Sequence, residues 1–528
     1  MKKYFIRVAL LLIMSSALLQ ACKKESLDLV NPNEPGIPSL QTEEGITQAA
    51  LGIYSKFGLE YFWLGLGYHN AMGDAIFISA GNFAWRWANQ ATKITLSDGT
   101  VLTPPQGADQ PTELRNRNSR AFGNDNVFYN EWAAMYLVNN QANLLLSLVE
   151  DPELTLSGNA ETKKSVLKAW AYWWKGFAYS RLGSLYIAGI ITDELNATNS
   201  NFVTNQALIA EAEKQFDLAS AELDKVTDVS SYNTMMSAII PSFTQVGNGT
   251  VPTKEMWQRH INTYKARNIL VNKKVTDMTA QDWNSILSLT ENGLMQGDKY
   301  FTMRTAEVDD VVGGIGWAPW RLLSFGWEFI SERWVQDFKP GDARFTRNVE
   351  AYASPVVNRS SRGFLYGTRW GLKDIVNGGD YASAEYGLAE TPLGATYEEN
   401  ALMRAEALIK TDKIEEGLML IDEVRSYQEA NLPAVAGTGL NSTQAYEELR
   451  RERRIGLFLK NVVFYDARRW DVSSKNGGRS GAVIVLTGGV IDNNATIDYN
   501  YLDYWDVPNN ELDFNAPGVG SAEVVSPG

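Results

Sequence analysis

Residues 165–186 read SVLKAWAYWWKGFAYSRLGSLY and carry the strongest helical signal in the chain. Val166, Trp170 and Trp173 recur at intervals of three or four residues, which places them on one face of a helix. Trp174 lies next to this face. Three indoles on so periodic a helix are expected to pack in a core, because large apolar side chains gain free energy when they leave water.

The same periodicity returns along most of the chain. It predicts helices at about 43–60, 127–149, 161–187, 203–226, 254–272, 280–293, 397–410 and 413–429. Consecutive helices of this length resemble tetratricopeptide repeats, although no strict repeat length is kept, and such pairs bury one face only by stacking on their neighbours. We therefore expect a mainly α fold, with a tetratricopeptide-like helix-pair scaffold from about 43–60, 127–293 and 397–470.

Three stretches without a helical period interrupt the helices, at about 61–126, 300–396 and 471–528. They are rich in turn-forming and aromatic residues and are interpreted as long loops with short strands. Because they interrupt the helices, chain order allows them to converge into one irregular, loop-rich lobe containing short strands. His69 falls in the first stretch and is predicted to be a loop residue, whereas His260 falls on a predicted helix.

The amino-terminal residues have the composition of an export signal. A charged start, MKKYFIR, precedes an apolar run that ends in Leu-Gln-Ala-Cys at residues 19–22. This ending has the form of a bacterial lipobox, and the run is shorter than the roughly 20 residues of a membrane span. Cys22 is the only cysteine in the sequence and stands where an acyl chain would be attached. We predict that Cys22 is lipidated; the alternative is an ordinary signal peptide with a leftover cysteine.

These signals divide the chain into a lipoprotein signal peptide over 1–21, a lipidated tether over 22–42 and a body over 43–528. The tether contains three prolines and is expected to be extended. Each buried CH₂ of an acyl chain contributes about 0.8 kcal/mol, so two or three chains would hold the body at a bilayer.

Composition excludes several classes of function. The net charge of -14 argues against a nucleic-acid partner, which needs clustered Lys and Arg. With two histidines, a zinc site built on three is impossible, and we expect no metal site and no cofactor, although a structural calcium held by loop carboxylates stays open. No P-loop or G-x-S-x-G nucleophile motif is present. Hydrolysis by paired carboxylates stays open, because Asp and Glu number 62.

Five segments stand out as motifs. In chain order they are residues 26–29 (SLDL, followed by Pro32), 165–186, 400–425 (NALMRAEALIKTDKIEEGLMLIDEVR), 449–470 (LRRERRIGLFLKNVVFYDARRW) and 504–508 (YWDVP). Together they resemble the SusD/RagB family of surface lipoproteins, and the fourth, the most specific, is similar to the family pattern E-R-x-x-E-L-x-F-E-G-x-R-x-x-D-L-R-R-W. Its Arg, Phe, Asp and Trp spacing is kept, whereas Lys460 and Asn461 stand where the family has Glu-Gly.

The charged side chains of the fourth segment predict a structural role first. Acids and bases alternate there and can form a partly buried ion-pair network, for which the fork of a guanidinium is suited. The residues concerned are Glu452, Arg453, Arg454, Asp466, Arg468 and Arg469.

The resemblance implies a function. Members of this family bind glycans at the cell surface and deliver them to a SusC-like TonB-dependent transporter, so the protein is expected to be a binding protein and not an enzyme. It is expected to lie at the outer membrane, held there by its lipid anchor and facing the cell exterior. A peptide-binding lipoprotein of the same class is one alternative, and a carboxylate-dependent glycosidase is another.

Glycan recognition requires exposed aromatic planes for the C–H face of a sugar and polar groups for its hydroxyls. Both concentrate in the irregular stretches. The candidate glycan-binding residues are Asp74, Trp85, Trp87, Asn89, Trp317 and Trp320. If residues 82–89 are extended, the first two indoles project to one side, about 7 Å apart. The alternative is that these indoles fill space between the lobe and the scaffold.

Overall fold

A computed structural model describes residues 37–58, 60–79, 82–104, 109–304, 328–357, 366–373 and 390–527. Within these ranges the helices are α1 (Ile37–Leu40), α2 (Glu43–Leu51), α3 (Leu66–Met72), α4 (Trp85–Ala88), α5 (Gln110–Asn116), α6 (Val127–Val149), α7 (Ala160–Leu185), α8 (Asn205–Asp224), α9 (Val229–Ile239), α10 (Lys254–Val271), α11 (Ala280–Glu291), α12 (Glu332–Val335), α13 (Ala343–Asn348), α14 (Tyr397–Lys410), α15 (Ile414–Tyr427), α16 (Ser442–Gly456), α17 (Val463–Arg469) and α18 (Asn509–Leu512).

The strands in the same ranges are short. They are β1 (Ile76–Ile78), β2 (Lys93–Thr95), β3 (Val101–Leu102), β4 (Ala188–Ile190), β5 (Phe202–Thr204), β6 (Thr302–Arg304), β7 (Glu328–Ile330), β8 (Val349–Val357), β9 (Tyr366–Leu372), β10 (Glu390–Pro392), β11 (Arg479–Leu486) and β12 (Ile491–Asp498). Helices predominate, which confirms the predicted mainly α fold class.

Polar side chains mark where the scaffold helices begin. Thr253 caps α10 by accepting a backbone N–H from its first turn. Thr279 with Asp282 forms a capping box at the start of α11, and Asn441 with Gln444 forms another at the start of α16. Each cap satisfies N–H groups that the first helical turn leaves without a partner.

The long helices stack side by side. Helix α7 packs along α6 and α8, and α14 packs against α11, α15 and α16. At the centre, Trp170, Trp173 and Trp174 of α7 are fully buried, as their periodicity predicted. The Trp170 ring lies 5.0 Å from the ring of Phe301, centroid to centroid, so the segment that follows α11 closes this core. None of the helices in the described ranges combines the length and apolar character that a membrane crossing requires.

One six-stranded antiparallel sheet joins the three irregular stretches. Its order is β3-β2-β12-β11-β9-β8, so strands from the first, second and third stretches lie side by side. Thr95 pairs with Thr496 across β2 and β12, and Val485 pairs with Gly367 across β11 and β9. The order of the three stretches along the chain allowed them to converge, and backbone hydrogen bonds fix the register of the strands.

Three local expectations are wrong, and one helix was missed. Residues 37–40 of the tether, which was expected to be extended, form helix α1. Residues 61–126 contain helices α3, α4 and α5 as well as loops and strands. His69 lies within α3 and is not a loop residue. Helix α9 was not predicted, because its sequence, VSSYNTMMSAI, contains several side chains that favour non-helical backbone over the helix interior.

Candidate functional site

Asp74, in the first irregular stretch, forms hydrogen bonds with residues of the second and third stretches. Its carboxylate accepts two hydrogen bonds from the Arg333 guanidinium, at 2.7 and 3.0 Å. It also accepts from the hydroxyls of Ser331, at 2.8 Å, and Tyr499, at 2.5 Å. Burial would raise the pKa of Asp74, but Arg333 outweighs this effect and the pKa falls to about 2. The carboxylate is therefore ionised and engaged within the protein, between the end of α3 and the strands of the sheet.

The segment around Trp85 is not extended. Phe83 and Ala84 both have positive φ, and the chain turns there into helix α4, so Trp85 and Trp87 do not form a strand-spaced pair. Trp85 is buried, with its ring 4.8 Å from that of Tyr68. Its surroundings are those of a core side chain.

Asn89 is buried as well, whereas Trp87 is partly exposed. The guanidinium carbons of Arg86 and Arg117 lie 3.8 and 4.4 Å from the centroid of the Trp87 ring. Of the four predicted residues in the first stretch, Trp87 is the one whose ring reaches the surface. Trp317, Trp320 and Cys22 lie outside the described residues, so their roles stay predictions.

A cleft of about 480 Å³ opens where the helical scaffold meets the lobe, and we call it the junction cleft. Its walls come from the carboxyl ends of α13, α15 and α16, from β10, and from the turns after α16 and before α10. It is lined by Asn248, Tyr300, Trp334, Phe338, Arg344, Arg347, Asn348, Glu390, Pro392, Glu398, Tyr427, Gln428, Glu429, Ile455, Phe458, Leu459 and Lys460. Small-molecule sites favour such junctions between parts of a fold.

The aromatic part of the cleft is held in place by other rings and by backbone. Tyr427, the last residue of α15, is 37% exposed and meets Tyr397 edge to face, with 5.2 Å between ring centroids. Tyr300 precedes β6 and is mostly buried, and its backbone N–H donates to the carbonyl of Asn248 at 3.0 Å. Tyr427 thus offers the cleft a supported and accessible aromatic ring.

The polar rim is fixed by hydrogen bonds to backbone. Glu390 accepts from the backbone N–H of Gly249 at 2.9 Å and from the side-chain amide of Asn248 at 3.1 Å. Arg347 donates to the carbonyl oxygen of Gln428 at 2.8 Å. A carboxylate, an amide and a guanidinium beside a tyrosine ring are the groups that pair with sugar hydroxyls and a sugar C–H face.

Charges at the floor of the cleft are compensated within the protein. Glu398 accepts a hydrogen bond from Lys460, and the Arg344 guanidinium is paired with both Asp342 and Glu452. Burial would raise the pKa of Glu398, but Lys460 outweighs it and the pKa is lowered. The charged side chains of Glu398 and Arg344 are therefore ion-paired within the protein, and the Glu398 carboxyl group is ionised.

The ion-pair network predicted for residues 449–470 is present and continues beneath this floor. Asp466 pairs with Arg453 at 2.9 Å and with Arg469 at 2.7 Å, and Arg469 also pairs with Glu406 of α14 at 2.6 Å. Arg468 instead donates to backbone carbonyls, among them that of Ser184 at 2.8 Å. Buried charges with such partners hold α16 and α17 in one orientation on the scaffold.

Both histidines are buried and form hydrogen bonds within the protein. His69 is fully buried, 2.9 Å from the Arg181 guanidinium and 3.3 Å from the Glu131 carboxylate. The Nε2 of His260 accepts the backbone N–H of Ala395 at 3.0 Å. Burial lowers the pKa of His69 to about 4 and that of His260 to about 3. Among the described residues, no group of three or more His, Cys, Asp or Glu side chains is arranged to hold a metal ion.

Sequence reasoning missed the lining of the junction cleft. Asn248, Arg347, Glu390 and Tyr427 come from four separate segments and share no motif. The one available signal was a tyrosine at the end of the predicted helix 413–429, where the apolar stripe stops. The cleft residues are neighbours only because the scaffold and the lobe pack together.

Comparison with known proteins places the fold. Residues 394–520 match the model of the SusD family, and no curated protein matches the sequence. A SusD superfamily protein from Bacteroides vulgatus has 14% identity and a TM-score of 0.55, over 90% of this chain and 97% of that chain.

Two further crystal structures give the same result. A SusD-like carbohydrate binding protein from Bacteroides fragilis has 13% identity and a TM-score of 0.57, over 90% of this chain and 99% of that chain. A SusD superfamily protein from Bacteroides thetaiotaomicron has 15% identity and a TM-score of 0.55, over 90% of this chain and 98% of that chain. At these identities the likeness establishes a shared fold.

Proposed function

We propose that this protein binds an oligosaccharide at the cell surface and passes it to a TonB-dependent outer-membrane transporter, because residues 394–520 match the SusD family model and the fold is similar to that of SusD-like proteins. The observation that supports binding most directly is the junction cleft. It combines the accessible ring of Tyr427 with the polar groups of Arg347, Glu390 and Asn248. A volume of about 480 Å³ is within the range of small-ligand sites, about 300–1,000 Å³.

The proposed activity is binding without turnover. A glycosidase of the two-carboxylate type needs one protonated carboxyl group to donate to the leaving oxygen, which requires a raised pKa. Glu398 in the cleft has a lowered pKa because of Lys460, and Glu452 beneath it has a lowered pKa because Arg344 and Arg425 outweigh its burial. Both carboxyl groups therefore stay ionised at neutral pH, which disfavours either of these two as a general acid.

The test is retention on glycans, measured together with product release. The purified body is run on native gels that contain a panel of polysaccharides, and the reducing ends are quantified in parallel. We expect retention by at least one polymer with no new reducing ends. Release of product that disappears on a carboxylate substitution would favour the glycosidase alternative. Calorimetric heat with oligopeptides and none with glycans would favour the peptide-binding alternative.

Tyr427 allows a matched set of variants. Tyr427→Ala removes the ring and should weaken retention about tenfold, since a ring stacked on a sugar contributes on the order of 1.4 kcal/mol. Tyr427→Phe keeps the ring and should retain most of the affinity. Phe514→Ala, which removes a 73% exposed ring outside the cleft, is the control and should have no effect. Equal retention by Tyr427→Ala and the unaltered protein would remove the cleft from the proposal.

The location and the partner require separate tests. Incorporation of labelled palmitate that is lost in Cys22→Ser would support the lipid anchor. Digestion of the protein by protease added to intact cells would support a position on the cell exterior. Co-purification with a TonB-dependent barrel encoded beside it would support the partnership, and a barrel that purifies without it would contradict that part of the proposal.

A further inference from the structure

A second cavity, of about 360 Å³, lies beside α16, and we call it the arginine pocket. Its lining includes four arginines, Arg450, Arg451, Arg454 and Arg479, together with Trp470. The two cavities have no lining residue in common among the described residues. The arginine pocket is therefore a separate feature, and the proposed glycan site does not account for it.

The charges of the pocket do not balance. Four guanidinium groups face two carboxylates, those of Asp337 and Glu447, which leaves a formal excess of two positive charges among the lining residues. Asp337 pairs with both Arg454, at 2.5 Å, and Arg479, at 2.9 Å. Burial would raise the pKa of Asp337, yet the two arginines hold it below its ordinary value. This inner part of the pocket is a fixed ionic group.

The outer part is held far more weakly. Arg450 and Arg451 share the single carboxylate of Glu447, at 3.0 and 3.2 Å. The three side chains are 33%, 42% and 47% exposed, and ion pairs that water reaches to this extent contribute little. An incoming anion with two or three oxygens can therefore displace Glu447 and accept from both guanidinium groups, whose fork geometry suits it.

Trp470 supplies a further unused donor. Its indole Nε1 is buried and has no hydrogen-bond acceptor among the described residues. The Arg450 and Arg469 guanidinium groups lie 4.9 and 5.0 Å from its ring centroid, which holds the ring in the wall of the pocket.

We propose that the arginine pocket binds an anionic substituent carried on a sugar, either the carboxylate of a uronic acid or a sulfate ester. Its oxygens accept hydrogen bonds from Arg450 and Arg451 in place of Glu447, and the sugar ring occupies the cavity beside Trp470. The volume suits one sugar residue and not a long chain. The sugar part of this proposal rests on the proposed function, whereas the anion part rests on the charges of the pocket.

The experiment is calorimetry at low and at high salt with four probes: galacturonate, galactose 6-sulfate, galactose and inorganic sulfate. We expect one or both anionic sugars to bind, galactose not to bind at this pocket, and the affinity to fall as salt rises. Galacturonate alone identifies the carboxylate as the recognised group, and galactose 6-sulfate alone identifies the sulfate ester. Inorganic sulfate that binds as tightly as either sugar would overturn the assignment to a sugar.

Variants give two effects of opposite sign. The double variant Arg450→Gln, Arg451→Gln should lose at least tenfold in affinity, whereas Glu447→Gln, which removes the competing carboxylate, should tighten binding severalfold. Lys225→Gln is the control, because Lys225 pairs with Glu222 of α8 and neither residue lines the arginine pocket. Unchanged affinity in the double variant, or weaker binding in Glu447→Gln, would overturn the site.

The two proposals fail separately. Retention of a neutral polysaccharide should be unaffected by the double variant, because Tyr427 and the junction cleft are intact. If the unaltered protein retains no polysaccharide of the panel, neutral or acidic, the proposed function fails, and galacturonate still tests the anion part of the pocket proposal. If neutral glycans are retained and neither anionic sugar binds, the pocket proposal fails alone.

Discussion

The substitution Asp74→Asn tests whether the Asp74 carboxylate stabilises the fold or binds the ligand. The substitution keeps the size of the side chain and removes the charge that pairs with the buried Arg333 guanidinium, 1% exposed. Removing one partner of a buried pair costs about 3–5 kcal/mol. The lowering of the Asp74 pKa from 3.8 to about 2 gives the same order of magnitude, about 2 kcal/mol. We therefore expect a loss of about 2–4 kcal/mol at pH 7.

The sign of the pH dependence follows from the lowered pKa. The contribution of Asp74 is fully present above the unfolded-state pKa of 3.8 and is lost as pH falls toward 2. The difference in the free energy of unfolding between the unaltered protein and Asp74→Asn should therefore be largest near neutral pH and should narrow below pH 4.

The assay is urea unfolding followed by circular dichroism, with glycan retention measured at a temperature where both proteins are folded. Asp498→Asn is the control, because it breaks an exposed pair with Lys93 on the same sheet and should change stability by less than about 0.5 kcal/mol. We expect Asp74→Asn to unfold at lower urea and to keep its retention once folded. Native stability combined with lost retention would show that Asp74 contacts the ligand and would refute the structural assignment.

Two further predictions concern the core. Burial lowers the pKa of His260 to about 3, so the stability that neutral His260 contributes is present above its unfolded-state pKa of 6.5 and is lost as pH falls. In urea unfolding, the difference in stability between the unaltered protein and His260→Gln should shrink by about 2 kcal/mol from pH 7 to pH 5. A constant difference would contradict the role of neutral His260 as the acceptor of the Ala395 N–H. Gly67→Ala would place a Cβ 1.9 Å from the Trp85 ring, so we expect a loss of about 1–3 kcal/mol in a thermal melt, and an unchanged melting temperature would show that the ring has room to move.

The helical scaffold could be predicted from sequence because its signals are local. The predicted helix at 127–149 coincides with Val127–Val149, and that at 397–410 coincides with Tyr397–Lys410. Apolar side chains every three or four residues are sufficient to define such elements. The burial of Trp170 follows from the same pattern, since its whole helix face is apolar.

The candidate site could be predicted only in part, because burial and pairing in the lobe depend on distant residues. Asp74 and Trp85 have the chemistry of a sugar site, yet one meets Arg333 and the other packs on Tyr68. Trp87 reaches the surface although it lies two residues from the buried Trp85, since α4 turns the two rings differently. Composition alone could not distinguish these outcomes.

The sequence by itself determined the period of the long helices, since this period depends on neighbours a few positions away, and it supports the prediction of an export and lipidation signal. Tertiary structure alone decided which aromatic rings are covered, which charges are neutralised and where the two cavities open. Asn248 and Tyr427 share a cleft although 179 residues separate them, a distance along the chain that no local pattern spans. Packing of the lobe on the scaffold joins them, because a buried apolar face gains free energy only where a second surface excludes water from it.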